Sequence, residues 1–329
     1  MEELIKNRFN SRILTQATDR FGIAADQIAL LDEFESFIYQ FQKEGQEYIL
    51  RISHSQRRSA DLIRGELDWI NYLADGGVGV SRAVPSQSGE WVEAVDDQHG
   101  GEFLAAAFEK ARGQMAWKAG VYEKQNLFAP YGRLIGRMHR LTKSYQPADP
   151  AWKRLEWDDP LNIDTKQWLL PASENVYQRQ QALIASLRRL PKDIDSYGLV
   201  HLDAHAGNFF LDDQNQFTLF DFDDCTYSWF ANDLAMVLFY AVTNREDMET
   251  YAARFWPRFL EGYDQENSLD PVWLRHVPDF LKLREIDIFT LLHRSRDVSK
   301  LNPDGWDGRF MRDRKERLEK GLPYLEMSF

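Results

Sequence analysis

The fold of this chain is decided by one stretch of its sequence, His201-Leu-Asp-Ala-His-Ala-Gly-Asn-Phe-Phe-Leu-Asp-Asp-Gln-Asn-Gln-Phe-Thr-Leu-Phe-Asp-Phe-Asp-Asp224. Two apolar runs, Phe209–Leu211 and Phe217–Phe220, flank a turn rich in Asp, Asn and Gln, so the stretch predicts a β-hairpin. The second strand of a hairpin returns antiparallel to the first. We therefore expect Asp221 to come back beside Asn208 at one edge of the hairpin.

The polar residues of this stretch have the spacing of enzymes that transfer phosphoryl groups. In those enzymes a loop H-x-D-x-x-x-x-N is followed on the next strand by D-F-G. Here His201, Asp203 and Asn208 fit the loop, and Asp221-Phe-Asp223 stands in the place of D-F-G. Phosphoryl transfer needs positioning and charge neutralisation more than covalent chemistry. We predict Asp203 as the base for the attacking hydroxyl, and Asn208 and Asp221 as oxygen ligands of Mg²⁺.

Two other interpretations compete for the same stretch. Polar residues cluster in turns, so an ordinary acidic hairpin without chemistry is one alternative. The run from His201 to His205 is also compatible with zinc ligands, but no further Cys or His cluster lies elsewhere in the sequence. We expect His201 to hold the loop by hydrogen bonds and His205 to shape the site.

The first 110 residues are predicted to form an antiparallel sheet with one inserted helix. Residues 60–75 have apolar positions at helical spacing, and residues 1–27 have the same spacing, which predicts a helical lead-in of one or two helices. Short apolar runs between turn residues indicate strands. The predicted strands are 28–31, 37–41, 48–52, 83–85, 91–95 and 103–108.

From about residue 112 the chain is predicted to be mainly helical. A sheet-rich part followed by a helical part is typical of an α+β fold in two lobes. We expect one lobe to comprise residues 1–110 and the other residues 111–329. The predicted helices are 130–144, 173–190, 231–243, 249–263, 271–297 and 308–320.

Composition and charge limit the classes of partner. The sequence has 52 Asp and Glu against 40 Lys and Arg, a net charge of −12. An acidic chain repels nucleic acids and anionic membranes, so we expect neither as a partner, although solubility alone also explains the charge. Cys225 is the single cysteine, Met1–Asn10 lack the apolar core of a signal peptide, and no apolar run approaches the roughly 20 residues that span a bilayer. We expect a cytoplasmic protein; the sequence does not indicate its oligomeric state.

The motif from His201 to Asn208, followed by Leu219-Phe-Asp-Phe-Asp-Asp224, resembles the catalytic motif of the aminoglycoside phosphotransferase and choline kinase superfamily. In that superfamily the motif usually has the form H-G-D-x-H-x-x-N followed by I-D-F-D/E. The resemblance covers about residues 25–300 and is strongest in the catalytic segment. It implies a two-lobed protein-kinase-like fold. It also implies transfer of the γ-phosphate of ATP or GTP, with Mg²⁺, to a hydroxyl group of a small molecule.

The resemblance also implies roles in the N-terminal, nucleotide-binding lobe. Arg51 stands where a phosphate-binding Lys often lies, and Glu66 is similar in place to the Glu that pairs with that cation. The segment from Glu109 to Ala111 resembles the hinge whose backbone holds an adenine. Asp233 matches an Asp at the start of a helix, where it is expected to cap the first turn. A surface ion pair remains the alternative for Arg51 and Glu66.

The chain departs from the superfamily pattern at two places. Leu202 replaces the usual Gly of the catalytic loop, which we expect to alter the backbone or packing of that loop. The first loop, Asp32-Glu-Phe-Glu-Ser36, contains no glycine, and its acidic side chains are unfavourable near a triphosphate unless they point away. These departures support the alternative function, a catalytically inactive nucleotide-binding pseudokinase.

The acceptor is expected to bind between Asp203 and the late helices. Acidic and aromatic residues there suit an alcohol that carries an amine, through charge attraction and cation–π contact. Packing in the core is the alternative for the aromatic residues, and a salt-bridged face is the alternative for the charged residues of 284–296. A protein substrate is disfavoured because the sequence lacks G-x-G-x-x-G and A-P-E. The predicted acceptor residues are Asp223, Asp224, Tyr227 and Trp229.

Overall fold

A computed structural model describes residues 3–329; Met1 and Glu2, which the predicted helical lead-in includes, lie outside the described residues. The strands are β1 (Ile28–Asp32), β2 (Phe37–Lys43), β3 (Gln46–His54), β4 (Ala83–Val84), β5 (Glu93–Asp96), β6 (Glu102–Glu109), β7 (Gln114–Met115), β8 (Tyr197–Val200), β9 (Phe209–Leu211), β10 (Phe217–Leu219) and β11 (Thr226–Trp229). The α-helices are α1 (Glu3–Arg8), α2 (Ser11–Phe21), α3 (Ala60–Asp75), α4 (Ala116–Ala119), α5 (Phe128–Thr142), α6 (Pro160–Ile163), α7 (Lys166–Ala172), α8 (Glu174–Leu187), α9 (Phe230–Val242), α10 (Met248–Asp264), α11 (Val277–Ser295), α12 (Trp306–Met311) and α13 (Arg314–Lys320). Short 3-10 helices lie at Gln125–Leu127, Pro150–Trp152, Pro271–His276 and Val298–Lys300. Within residues 3–329, no helix is long and apolar enough to cross a membrane.

The chain forms two compact units, and each is assembled from separate stretches of sequence. The first unit contains the chain up to Gln114 together with Tyr145–Arg154 and Phe209–Asp223. The second unit contains Met115–Ser144, Leu155–Asn208 and Asp224–Phe329. The division predicted from the sequence cuts the chain once, after residue 110. The structure instead adds two later segments to the N-terminal part, because residues 145–154 and 209–223 pack there.

An antiparallel sheet dominates the first unit, in the order β1-β2-β3-β6-β4, with β5 also paired to β6. Apolar side chains of this sheet and of α1 and α2 form a buried core that includes Ile13, Phe41 and Leu50. Helix α3 begins at Ser59, whose side chain accepts the Leu62 N–H and so supplies the N-terminal cap. The predicted antiparallel sheet with one inserted helix is confirmed.

The predicted hairpin is also present in the first unit. Strands β9 and β10 pair antiparallel with Phe209 opposite Leu219. The turn is shaped by Asp212, whose Oδ1 accepts the backbone N–H groups of Gln214 and Gln216. The hairpin therefore starts one residue after Asn208 and ends two residues before Asp221.

The second unit is mainly helical, which confirms the α+β class, but several element boundaries differ from the prediction. The helix expected over 271–297 is a 3-10 helix followed by α11, with Pro278 in the first turn of α11, where a missing N–H is tolerated. The helix expected over 308–320 is two helices, because Asp313 has φ +53° between α12 and α13. Strands β8 and β11, which pair antiparallel, were not predicted.

Candidate active site

The catalytic loop of the second unit follows β8 and is anchored by the carboxylate of Asp233 on α9. The backbone N–H of Leu202 donates to Asp233 Oδ1 at 2.7 Å, and that of His201 donates to Oδ2 at 3.4 Å. Leu202 has φ +61°, in the left-handed region that glycine enters most readily. The short hydrogen bond from the Leu202 N–H to Asp233 thus holds Leu202 in a backbone conformation that is unfavourable for leucine.

Asp233 is itself held by the buried side chain of His139, which in turn contacts Tyr263. His139 Nε2 lies 2.9 Å from Asp233 Oδ2, and His139 Nδ1 lies 3.0 Å from the hydroxyl of Tyr263. Asp233 and His139 are both fully buried. The sequence predicted Asp233 as a cap for its own helix, but its carboxylate accepts from the catalytic loop instead, because α9 begins three residues earlier, at Phe230.

Both carboxylate oxygens of Asp203 have partners in the second unit. Arg284 Nη2 donates to Oδ1 at 2.5 Å, and Asn208 Nδ2 donates to Oδ2 at 2.9 Å. His205 Nε2 lies 3.4 Å from Oδ2. Burial by itself raises the pKa of Asp203, but the His205 hydrogen bond and the charge of Arg284 outweigh it, so this pKa lies well below the usual range of aspartate. Asp203 is therefore ionised at neutral pH, as a proton acceptor must be.

The geometry of Asn208 leaves its amide oxygen for another partner. Its Nδ2 donates to the main-chain oxygen of Asp203 at 2.9 Å as well as to the carboxylate, which fixes the amide plane. Within residues 3–329, the Asn208 Oδ1 accepts no hydrogen bond. An available amide oxygen is a suitable ligand for a hard cation such as Mg²⁺.

Asp221 lies in the first unit, directly after the hairpin. It is exposed and has φ +65°, a backbone region in which aspartate is found more often than most residues. The part of the chain that the structure describes has no group of three or more His, Cys, Asp or Glu side chains that could hold a metal ion. Mg²⁺ is usually held by one or two carboxylates together with substrate phosphates, so the donor types at Asp221 and Asn208 fit it.

Arg51 and Glu66 form a buried, two-bonded ion pair in the first unit. Arg51 Nη1 and Nη2 donate to the two carboxylate oxygens of Glu66 at 2.8 and 2.6 Å. Their side chains are 8% and 0% exposed, which distinguishes the pair from the surface ion pair considered above. Burial by itself lowers the pKa of Arg51, but Glu66 and the nearby carboxylates of Asp223 and Asp221 outweigh it and raise this pKa. Arg51 is therefore permanently charged.

Asp223 is enclosed by arginines of the first unit. Arg57 Nη2 and Nε donate to its Oδ2 at 2.6 and 3.0 Å, and Arg58 Nε lies 3.8 Å from the same oxygen. Arg154 Nη2 donates to the main-chain oxygen of Asp223 at 2.5 Å. Burial raises the pKa of Asp223, but the charges of Arg57 and Arg58 outweigh it and lower this pKa. A carboxylate that is already paired with Arg57 and Arg58 is poorly suited to bind the amine of an acceptor.

The other predicted acceptor residues lie on or before β11 in the second unit. Trp229 is fully buried, donates its indole N–H to the Pro191 carbonyl at 2.8 Å, and packs on the ring of Tyr197. This is the core packing that the sequence left as the alternative, so we do not carry Trp229 into the proposed acceptor site. Tyr227 is half-buried and Asp224 is exposed.

The predicted hinge follows the end of β6 in the first unit. The Glu109 N–H donates to the Arg82 carbonyl at 2.8 Å, so this N–H is already used within the unit. The N–H of Ala111 donates to no group among the described residues. Of the two residues predicted for the hinge, Ala111 is thus the one whose backbone N–H has no partner among the described residues.

Arg284 is a functional candidate that the sequence indicates only as one of several charged residues at 284–296, for which substrate binding and a salt-bridged face are both open. It lies on α11, and its Nη2 donates to the Tyr240 hydroxyl at 2.5 Å as well as to Asp203. Its Nε is buried and has no hydrogen-bond partner among residues 3–329. The sequence shows only a charged helical stretch at 284–296, and nothing in its spacing indicates which arginine of that helix meets the loop 81 positions earlier.

Comparisons with known proteins show that the chain is similar to phosphotransferases. The phosphotransferase enzyme family matches residues 28–277. A protein named amicoumacin kinase, from Bacillus subtilis (strain 168), is 40% identical over 332 aligned positions, which cover 99% of this chain and 97% of that protein. A solved structure of amicoumacin kinase hAmiN in complex with AMP-PNP, Ca²⁺ and Ami superposes with a TM-score of 0.93 at 36% identity, covering 100% of this chain and 98% of that one. A microcompartment-associated aminopropanol kinase has a TM-score of 0.73 at 20% identity, covers 95% of this chain and 98% of its own, and shows the shared fold alone.

Proposed function

This chain belongs to the phosphotransferase enzyme family, and we propose that it transfers the γ-phosphate of ATP to a hydroxyl group of amicoumacin or of a molecule with similar chemistry. The resemblance to the aminoglycoside phosphotransferase and choline kinase superfamily is confirmed, and the chain is an enzyme that phosphorylates alcohol groups. The proposed acceptor rests on the 40% identity to amicoumacin kinase over nearly the whole of both chains. The proposed donor rests on the AMP-PNP that the related kinase binds.

The observation that carries the proposed reaction is the arrangement around Asp203. The acceptor hydroxyl attacks the γ-phosphorus of ATP, its proton passes to the Asp203 carboxylate, and the bond to the bridging oxygen of ADP breaks. A weakly basic carboxylate is sufficient, because the transition state of phosphoryl transfer is loose and demands orientation more than strong base catalysis. Arg284 and Asn208 hold the two oxygens of that carboxylate and so fix its orientation.

Charge on the nucleotide is neutralised by residues whose donor chemistry is suited to it. We propose that Arg51, oriented by Glu66, contacts the phosphates, and that Asn208 and Asp221 hold Mg²⁺. When bound, this ion neutralises negative charge on the β- and γ-phosphates. The Ca²⁺ in the related kinase supports a divalent cation at this step, and Mg²⁺ is our proposal for this chain.

Two further assignments complete the proposal. The backbone N–H of Ala111 is a hydrogen-bond donor for the base of the nucleotide. Among the acceptor residues we retain Tyr227 and Asp224, which are half-buried and exposed in the second unit. A reaction that consumes ATP fits the cytoplasm, which a chain with a single cysteine also favours.

The pseudokinase alternative rested on two features of the sequence, Leu202 and the glycine-free loop. The local geometry at each of them weakens that alternative. Leu202 adopts the left-handed backbone with its N–H bonded to Asp233, so the loop keeps Asp203 in a defined place. In the glycine-free loop, Glu35 is paired with Arg57 at 2.6 Å and is not an unpaired negative charge. The sequence also retains the acidic and amide residues of the superfamily motif at Asp203, Asn208 and Asp221.

The proposal is tested by incubating the purified chain with amicoumacin, Mg²⁺ and either ATP or GTP, and by following the product by mass spectrometry. We expect an adduct of one phosphoryl group, formed faster with ATP, and NMR of the product identifies the hydroxyl. A panel of amino alcohols, sugars and aminoglycosides measured in parallel distinguishes this acceptor from others of the superfamily. If none is phosphorylated while calorimetry shows Mg²⁺-dependent nucleotide binding, the proposed acceptor is wrong and the pseudokinase alternative gains support.

A further inference from the structure

The glycine-free loop between β1 and β2 is ordered by its own acidic side chains. Asp32 Oδ2 accepts the backbone N–H of Phe34 at 3.2 Å, which forms a turn inside the loop. Glu33 lies 3.6 Å from Lys6 on α1, and Glu35 accepts from Arg57 at 2.6 Å. Each of the three acidic residues of this loop therefore has a partner in the first unit. Side-chain interactions therefore order this loop, which contains no glycine.

Arg57 connects this loop to Asp223, a residue of the first unit that other hydrogen bonds also hold. Its Nη2 lies 2.6 Å from Glu35 Oε2 and 2.6 Å from Asp223 Oδ2, and its Nε adds a second bond to Asp223 at 3.0 Å. Asp223 cannot easily follow a moving loop, because Arg154 binds its main-chain oxygen and also donates to the Leu62 carbonyl at 2.7 Å. We call the three residues Glu35, Arg57 and Asp223 the Arg57 bridge.

We propose that Arg57 is a positioning residue for the nucleotide: through the Arg57 bridge it holds the β1–β2 loop in the conformation that receives the phosphates. The proposal deepens the kinase function proposed above and rests on it for the identity of the ligand. The same bridge reaches the segment of Asp221, two residues before Asp223, so one guanidinium orders both the loop and the segment that carries a proposed metal ligand.

The physical consequence concerns nucleotide affinity more than the chemical step. A loop that is already ordered loses less conformational freedom when a ligand binds, so it binds more tightly. The side chains of Arg57 and Glu35 are 26% and 39% exposed, so solvent screens their attraction in part and the expected effect is moderate. The bridge acts on the loop and not on the proposed base, so we expect the rate with saturating nucleotide to change little.

The first experiment compares Glu35→Gln with Glu33→Gln in the full chain. Glu35→Gln removes the charged partner of Arg57 and keeps the size of the side chain, and we expect the KM for ATP to rise about three- to tenfold with kcat within about twofold. Glu33→Gln removes the same charge from the same loop, but its partner Lys6 lies at 3.6 Å and Glu33 is 57% exposed. The control variant should therefore leave both constants close to those of the wild type.

A second measurement reports on the loop without any turnover. Phe34 is 49% exposed, whereas Cys225 is 1% exposed, so a maleimide fluorophore on a Phe34→Cys variant labels the loop selectively. In that labelled background we expect Glu35→Gln and Arg57→Gln each to lower the fluorescence anisotropy, and the double variant to lower it no further, because both break one interaction. Arg57→Lys retains the charge and should recover part of the anisotropy.

The outcomes separate this inference from the proposed function. Lower anisotropy with weaker ATP binding in calorimetry supports the bridge even if no acceptor is ever phosphorylated. An ATP affinity that is unchanged or stronger in Glu35→Gln rejects it, since the bridge would then be irrelevant to the nucleotide or would oppose it. Equal effects of Glu33→Gln and Glu35→Gln also reject it, because loop charge alone would then explain the result.

Discussion

The catalytic loop, residues 201–208, and the arginine cluster of Arg51 and Arg57 are built by different means. In the loop, bonds between near neighbours set the backbone: Asp203 N–H donates to His201 Nδ1, and Asn208 Nδ2 donates to the Asp203 carbonyl five positions earlier. In the cluster, ion pairs join residues 15, 22 and 166 positions apart. The loop is thus fixed by residue type and spacing, whereas the cluster depends on the fold to bring its charges together.

This difference predicts how each region responds to substitution. A short loop in which one side chain is the proposed base and another the proposed metal ligand has no alternative group for either task. An ion-pair cluster contains several cations of similar chemistry, so the loss of one bond is partly compensated by its neighbours. Substitutions in the loop should therefore affect the rate of the reaction, and those in the cluster should affect mainly nucleotide binding.

The largest expected effect is that of Asp203→Asn. Without a carboxylate to accept the hydroxyl proton, kcat should fall on the order of 10²- to 10⁴-fold, while Mg²⁺–ATP binding persists in calorimetry. Asp213→Asn, an exposed aspartate in the turn of the hairpin, is the matched control and should keep full activity. Equal turnover by Asp203→Asn and the wild type would show that the base has been assigned wrongly.

A smaller effect is expected from Asp233→Asn, which acts on the loop without touching the reacting groups. The asparagine amide has one acceptor oxygen. It cannot accept the backbone N–H groups of Leu202 and His201 and also bond to His139, as the two oxygens of a carboxylate do, so residues 201–208 lose their fixed orientation. We expect kcat to fall about 10- to 100-fold, as for other residues that orient a catalytic group, and the free energy of unfolding to fall by about 1–3 kcal/mol. Steady-state kinetics and urea denaturation measure the two losses.

The control for Asp233→Asn is Asp247→Asn. Asp247 is the exposed N-cap residue of α10, and within the described part of the chain its side chain makes no capping bond. Asp247→Asn should change neither kcat nor the free energy of unfolding by more than experimental error. A loss of stability in Asp233→Asn with normal kcat would mean that the carboxylate supports the fold of the second unit but does not orient Asp203.

In the arginine cluster, the most informative change is Arg51→Lys. Lysine keeps the charge but cannot form two parallel bonds to Glu66, so the cation loses its fixed direction. We expect the KM for ATP to rise about tenfold and kcat to change less than in Asp203→Asn or Asp233→Asn. Arg82→Lys is the control in the same unit, because the Arg82–Asp75 pair is exposed. If Arg51→Lys and Arg82→Lys have identical kinetics, the buried Arg51–Glu66 pair has only a structural role.

The same contrast explains how much was predictable from the sequence. The hairpin and the loop with Asp203 and Asn208 follow from local spacing, and the antiparallel sheet follows from strand-length apolar runs. The role of Arg284 and the enclosure of Asp223 by arginines depend on pairings across 81 and up to 166 positions, which no local pattern encodes. Trp229 looked available for an acceptor because the pairing of β8 with β11, which contributes to burying it, was not predicted.

The smallest expected effect, that of Leu202→Gly, tests whether the departure from the superfamily motif matters for the loop. Glycine adopts φ +61° without strain, which favours the folded state, but it also loses the half-buried leucine side chain and has more freedom in the unfolded chain. These terms oppose each other, so we expect kcat within about twofold of the wild type and a change of less than about 1 kcal/mol in the free energy of unfolding. Because the Leu202 N–H bond to Asp233 involves only the backbone, it should survive the substitution. A gain of tenfold or more in kcat would instead show that leucine distorts the loop, and that the wild-type chain has moved toward the inactive alternative.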